Sequence, residues 1–141
     1  MNREAENKNL MLAVMAEFKK ANLEPLFANL SDEVVWRTSA PQDFFRFGGV
    51  HNGVFGIREY TALLFSRYHF TRFEITHIIA QDDIVWGEFD GEAKDMSTDK
   101  FVRFEAMIRW TVRDGKIAEH RCFFDTASVL MQIGALKQGS V

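Results

Sequence analysis

From residue 70 to residue 124 apolar and polar side chains alternate with a period of two. Gln81-Asp82-Asp83, residues 94–99 and Arg113-Asp114-Gly115 cut this stretch into four runs, 70–80, 84–93, 101–112 and 116–124. Successive side chains of a strand point to opposite faces, so the pattern predicts four strands joined by hairpins, an antiparallel meander. A helix cannot present such a pattern as one apolar stripe.

The first half has a different period. Leu10, Met11, Val14, Met15 and Phe18 recur at helical spacing and predict a helix over about 3–20. Asn22 can cap a short second helix bearing Leu23, Leu26, Phe27 and Leu30, with Pro25 tolerated in its first turn. Residues 32–38 read as a strand, ended by Ser39-Ala40-Pro41-Gln42-Asp43. Residues 44–54, with three Phe and three Gly, read as an irregular connection suited to roofing a pocket. Ile57, Tyr60, Leu63, Leu64 and Tyr68 predict a third helix over about 56–69, and Asp125 to Ser128 can cap a closing helix with Val129, Leu130 and Ile133. Helices first and strands afterwards is the α+β pattern, with helices on one face of the sheet and a hollow between them as the natural ligand site.

The 141 residues fall within the size range of one domain. Fourteen Phe and three Trp supply wide, flat apolar surface for a thick core or an aromatic-walled pocket. A net charge of -3 with scattered Lys and Arg excludes a basic stripe for nucleic acid. No apolar run is long enough to span a bilayer, so no membrane partner and a cytoplasmic location are expected. The lone Cys122 excludes an internal disulfide, and His51, His69, His77 and His120 show no metal-ligand spacing, so neither metal nor cofactor is expected. Nucleophile triads and phosphate-binding loops are absent as well.

The order helix, helix, strand, glycine-rich connection, helix, four strands resembles the nuclear transport factor 2-like superfamily over nearly the whole chain. The stretch from Val50 through His51-Asn52-Gly53-Val54-Phe55-Gly56 to Tyr60 is similar to the entry to the third helix of SnoaL-like proteins. The stretch from Asp114-Gly115 to Phe124-Asp125 is similar to their closing hairpin. The resemblance implies one SnoaL-like domain over 1–141, a cone-like curved antiparallel sheet wrapped around the N-terminal helices. Carried over by position, the tyrosine, base and protonated carboxylate of ketosteroid isomerases fall at Val14, Thr38 and Met107, none of which does that chemistry. The two aspartates of limonene epoxide hydrolases fall at Asp90 and Asp125. Their arginine falls at Glu88 and their water-holding tyrosine and asparagine at Trp36 and Thr38. Asp125 also matches the acid/base position of SnoaL-like cyclases.

Which faces are inward depends on the Arg113-Gly115 loop, because a one-residue slip exchanges the two faces. A two-residue Asp-Gly turn and a three-residue loop with a bulge are both available, and the resemblance favours the latter, pairing Met107 with Arg121 and Arg103 with Asp125. The inward face then carries Glu88, Asp90, Arg103, Glu105, Met107, Arg121, Phe123 and Asp125. Phe104, Ala106, Ile108 and Trp110 point outward, where a second subunit would cover them in a homodimer.

On this reading the catalytic candidates are Asp125 as general acid/base, supported by Asp90 and Arg103. The substrate-binding candidates are Trp36, Thr38, His51, Phe55, Glu88, Met107 and Phe123. Simpler roles stand beside these: Asp125 as a helix cap, Asp90 with Arg103 as a surface ion pair, Trp36 as core and His51 as a solvated loop histidine. The expected activity is binding and transformation of a small, largely apolar molecule, of cofactor-independent cyclase, isomerase or epoxide-hydrolase type. The alternative is a non-catalytic ligand-binding or accessory protein of the same fold.

Overall fold

The structure is a computed structural model and describes residues 2–136 and Gly139. Helix α1 (Arg3–Phe18) begins where Asn2 Oδ1 accepts from the Ala5 amide, and it buries Met11, Val14, Met15 and Phe18. Helix α2 (Glu24–Ala28) has Pro25 in its first turn. Leu23 rather than Asn22 occupies its cap, because the Asn22 side chain donates back to Glu17 instead. Strand β1 (Leu30–Thr38) and helix α3 (Gly53–Arg67) flank the connection, whose end is not irregular but forms a short strand, β2 (Gly49–Asn52).

Four strands follow, β3 (Tyr68–Gln81), β4 (Ile84–Asp95), β5 (Lys100–Arg113) and β6 (Lys116–Phe124), and then helix α4 (Thr126–Gln132). They build one sheet in the order β2-β1-β6-β5-β4-β3. The meander of β3 to β6 is antiparallel as expected, whereas β1 lies parallel to β6. The edges β2 and β3 do not meet, so the sheet is open. Register shifts in β3 fall at Thr71 and Thr76. An extra residue in one strand bends it, so these shifts curl the sheet.

The β5–β6 hairpin closes through a two-residue turn, Asp114 at φ 51° and Gly115 at φ 72°, with Arg113 opposite Lys116. Positive φ at both central positions is the turn whose twist matches a hairpin. A register shift after Thr111 then sets Met107 opposite Phe123 and Trp110 opposite His120. The expected three-residue loop and the pairs Met107 with Arg121 and Arg103 with Asp125 are therefore not formed.

The facing is reversed as well. Val102, Ala106, Ile108 and Trp110 are buried in the core under the helices, with half-buried Phe104 packed against them, while Arg103, Glu105 and Met107 are exposed on the outer face. The helices, with α4 over β5, cover the concave side and remove it from water, so burying the apolar parity there is favourable and stranding the charges there would be costly. Phe104, Ile108 and Trp110 thus belong to the core, not to a convex interface. Gly91 makes room for this packing, since a Cβ there would lie 2.2 Å from the Phe104 ring. At one end, Arg67 of α3 makes two contacts with fully buried Asp95 of β4, one of them Nη2 to Oδ2 at 3.2 Å. Burial would raise the Asp95 pKa, but Arg67, the Thr98 hydroxyl and the Ser97 amide outweigh it and hold the carboxylate lower.

Candidate functional site

A cavity of about 80 Å³ lies between the concave face and the helices. Its walls are aromatic, with Phe18 from α1, Phe45 and Phe47 from residues 39–48, Phe70 and Phe73 from β3, Phe104 from β5 and Phe124 from β6. Into this apolar surround project Trp36 and Thr38 of β1, Tyr60 of α3, and His120 and Cys122 of β6. The parallel β1–β6 register places Trp36 beside His120 and Thr38 beside Cys122. The Trp36 and His120 rings stack at 3.6 Å with 2° between their planes.

His120 is the best-defined group. Trp110 Nε1 donates to its Nδ1 at 3.0 Å. An indole nitrogen can only donate, so Nδ1 is unprotonated and the neutral ring carries its hydrogen on Nε2. Burial, with 4% of the residue exposed, lowers the His120 pKa to about 3. Among the described residues Nε2 has no partner, nor do Trp36 Nε1 and Thr38 Oγ1. An unpaired buried donor costs about 1–3 kcal/mol, and native interiors hold few of them.

Burial also raises the Tyr60 phenol above its ordinary range, with Cys122 adding to the shift and Trp36 and Thr38 opposing it. Those two side chains lie close to the Tyr60 hydroxyl, but neither contact has hydrogen-bond geometry. Burial pushes the Cys122 thiol up to about 12. At neutral pH every polar group here is therefore uncharged. Indole N–H, imidazole N–H and two hydroxyls are thus the hydrogen-bond donors among the lining residues, and none of these groups stands ready as a base.

Of the residues singled out from the sequence, the structure brings Trp36 and Thr38 to this cavity. His51 is buried beside it, contacting the Phe47 carbonyl oxygen through Nε2 at 2.9 Å and meeting Tyr60 edge-on. It fastens the Phe-bearing connection and is not in solvent. Phe55 is 89% exposed on the first turn of α3. Glu88, Asp90, Arg103, Met107 and Phe123 lie on the outer face, which corrects their expected inward facing. There Glu88 contacts Thr76 and His77, Asp90 faces Arg72 at 3.4 Å, and Arg103 faces Glu92 at 3.4 Å rather than Asp90. Met107 and Phe123 border a shallow outer depression of about 270 Å³. Asp125 Oδ1 accepts from the Ser128 amide at 3.0 Å and caps α4, so its exposed carboxylate stands outside the cavity.

The sequence does not mark Tyr60 or His120 as site residues. Tyr60 lies on the apolar stripe of α3, and His120 shares the parity of buried Cys122, which is the one signal that could have marked it. Among the described residues no cluster of His, Cys, Asp and Glu could hold a metal ion, and no helix is long and apolar enough to cross a membrane.

The profile of the SnoaL-like domain matches residues 11–120. The chain belongs to the SnoaL-like domain family. Solved structures agree with this family's fold. TerC, co-crystallised with polyporic acid, is 24% identical, with 92% of this chain and 98% of TerC covered at a TM-score of 0.82. An LEH-like epoxide hydrolase of M. tuberculosis is 20% identical over 94% of this chain and 92% of its own, with a TM-score of 0.74. A ketosteroid isomerase-like protein of Catenulispora acidiphila, in complex with trimethylamine, is 16% identical over 90% and 93%, with a TM-score of 0.76. At these identities the likeness is one of fold. No curated protein matches the sequence.

Proposed function

We propose that this SnoaL-like protein binds a small, largely apolar molecule bearing one hydrogen-bond-accepting oxygen, a ketone, aldehyde or phenolate. The observation that carries this reading is the set of buried donors without partners among the described residues, Trp36 Nε1, Thr38 Oγ1 and His120 Nε2, on residues that line a cavity otherwise walled by aromatic and aliphatic side chains. Such donors gain most from an acceptor that arrives with an apolar body. Relatives of the same fold crystallised with polyporic acid and with trimethylamine support a small-molecule role.

The void is smaller than the few hundred Å³ usual for ligand sites, and smaller than the roughly 150 Å³ apolar cavity that accepts benzene. A ring therefore enters as the walls yield, and Phe45 and Phe47, carried on the connection before β2, are the walls not fixed in a strand or helix. Binding is favoured over turnover by the lack of a base in the cavity, since Nδ1 of His120 is occupied and Asp125 lies outside. A transformation by this site would work through polarisation of the bound oxygen.

Native mass spectrometry for a co-purified ligand, followed by titration with cyclohexanone monitored at the Trp36 indole N–H resonance, tests the reading. A shift of that resonance on saturation is expected. Saturable binding that leaves it unmoved, or no binding of any carbonyl compound, would refute the assignment. We also propose that the homodimer expected from the sequence uses the outer face through the exposed Met107 and Phe123, in place of Phe104, Ile108 and Trp110, which pack in or against the core.

A further inference from the structure

Trp110 takes no part in lining the cavity, yet it is hydrogen-bonded to His120, which does. Its side chain is fully buried on β5 and sits across the hairpin from His120. Of the two ring nitrogens of His120, Nδ1 is engaged by Trp110 Nε1 at 3.0 Å, and Nε2, on the other side of the ring, has no partner among the described residues. A neutral imidazole without such a constraint can place its proton on either nitrogen and so serve as donor or acceptor. The stacked Trp36 ring at 3.6 Å keeps the imidazole in its plane.

We propose that Trp110 is a specificity-determining positioning residue: by donating to Nδ1 it holds His120 in the tautomer whose Nε2–H serves the cavity. The site is thereby restricted to ligands with an accepting oxygen. The inference rests on the ligand-binding reading above. It adds that polarity selection is set one residue behind the cavity wall. With the indole N–H removed, the proton can move to Nδ1, and the Nε2 lone pair then opposes a carbonyl oxygen that it formerly received.

Two measurements test this, the first without any ligand. Long-range ¹H–¹⁵N spectra of the wild-type protein should show His120 protonated at Nε2 only, with a through-hydrogen-bond ¹⁵N–¹⁵N coupling to Trp110 Nε1. An Nδ1–H ring would overturn the proposal even if no variant folds. In Trp110→Phe the His120 signals should move toward the Nδ1–H or a mixed-tautomer pattern, and an unchanged Nε2–H tautomer would overturn it. The second measurement compares cyclohexanone with methylenecyclohexane, its near-isostere without an acceptor. The ratio of their dissociation constants should change about tenfold against the ketone in Trp110→Phe, and a ratio equal to that of the wild type overturns the inference alone. Failure of the wild type to bind either probe overturns the ligand reading, and with it the selection assigned to Trp110.

Discussion

The buried His120 makes a quantitative prediction about stability and pH. Its folded-state pKa is lowered from 6.5 to about 3 by burial, while the unfolded chain keeps the ordinary value. The folded value lies below the unfolded one, so the unfolded state binds the extra proton as the solution is acidified. The contribution is therefore fully present above about pH 6.5 and is lost progressively as pH falls toward 3. Each pH unit inside that window costs about 1.4 kcal/mol, and between pH 7 and pH 5 the loss from this residue is about 2 kcal/mol. Urea unfolding of the wild type and of His120→Gln at both pH values isolates the effect, because other titrating groups are common to the two proteins and cancel in the difference. The wild type should lose about 2 kcal/mol more than the variant. Equal losses would refute the neutral, buried state of His120, and with it the donor arrangement at the cavity.

Gly91→Ala pushes a methyl group into the Phe104 ring, 2.2 Å from the added carbon, and should destabilise by about 1–3 kcal/mol in thermal or urea unfolding. Arg67→Ala strands the fully buried Asp95 carboxylate with only Thr98 and the Ser97 amide. The expected cost is roughly 2–3 kcal/mol, toward the low end for broken buried pairs because Arg67 keeps some solvent contact, and an unfolding free energy equal to wild type would count against it. Asp125→Ala should cost about 1 kcal/mol through loss of the α4 cap, and Asp125→Asn far less, with cyclohexanone affinity unchanged in both; lost binding would place Asp125 in the site after all. Met107→Glu combined with Phe123→Glu should yield a folded monomer by light scattering from a dimeric wild type, and a variant that stays dimeric would refute the outer-face interface.

The period-two alternation from residue 70 onward and the helical spacing of Met11, Val14, Met15 and Phe18 were enough to determine the α+β class and the elements, because periodicity is local. The same holds for the Asp125 cap, one of the two roles open to it from the sequence. Which parity is inward is not local. The pattern of 101–112 is satisfied equally by either face, and only the packing of the helices against the sheet, α4 on β5 among them, desolvates the side with Phe104, Ile108 and Trp110 and leaves Arg103, Glu105 and Met107 in water. The bulge after Thr111 shifts the register beyond what loop length alone predicts, and the parallel β1–β6 pairing joins residues far apart in the chain. That pairing stacks Trp36 on His120, and β5 adds Trp110 behind it, so the donor cluster exists only through contacts between elements. In the sequence His120 is one of four scattered histidines. Its tautomer, its neutrality and its free Nε2 follow from burial beside a group that can only donate.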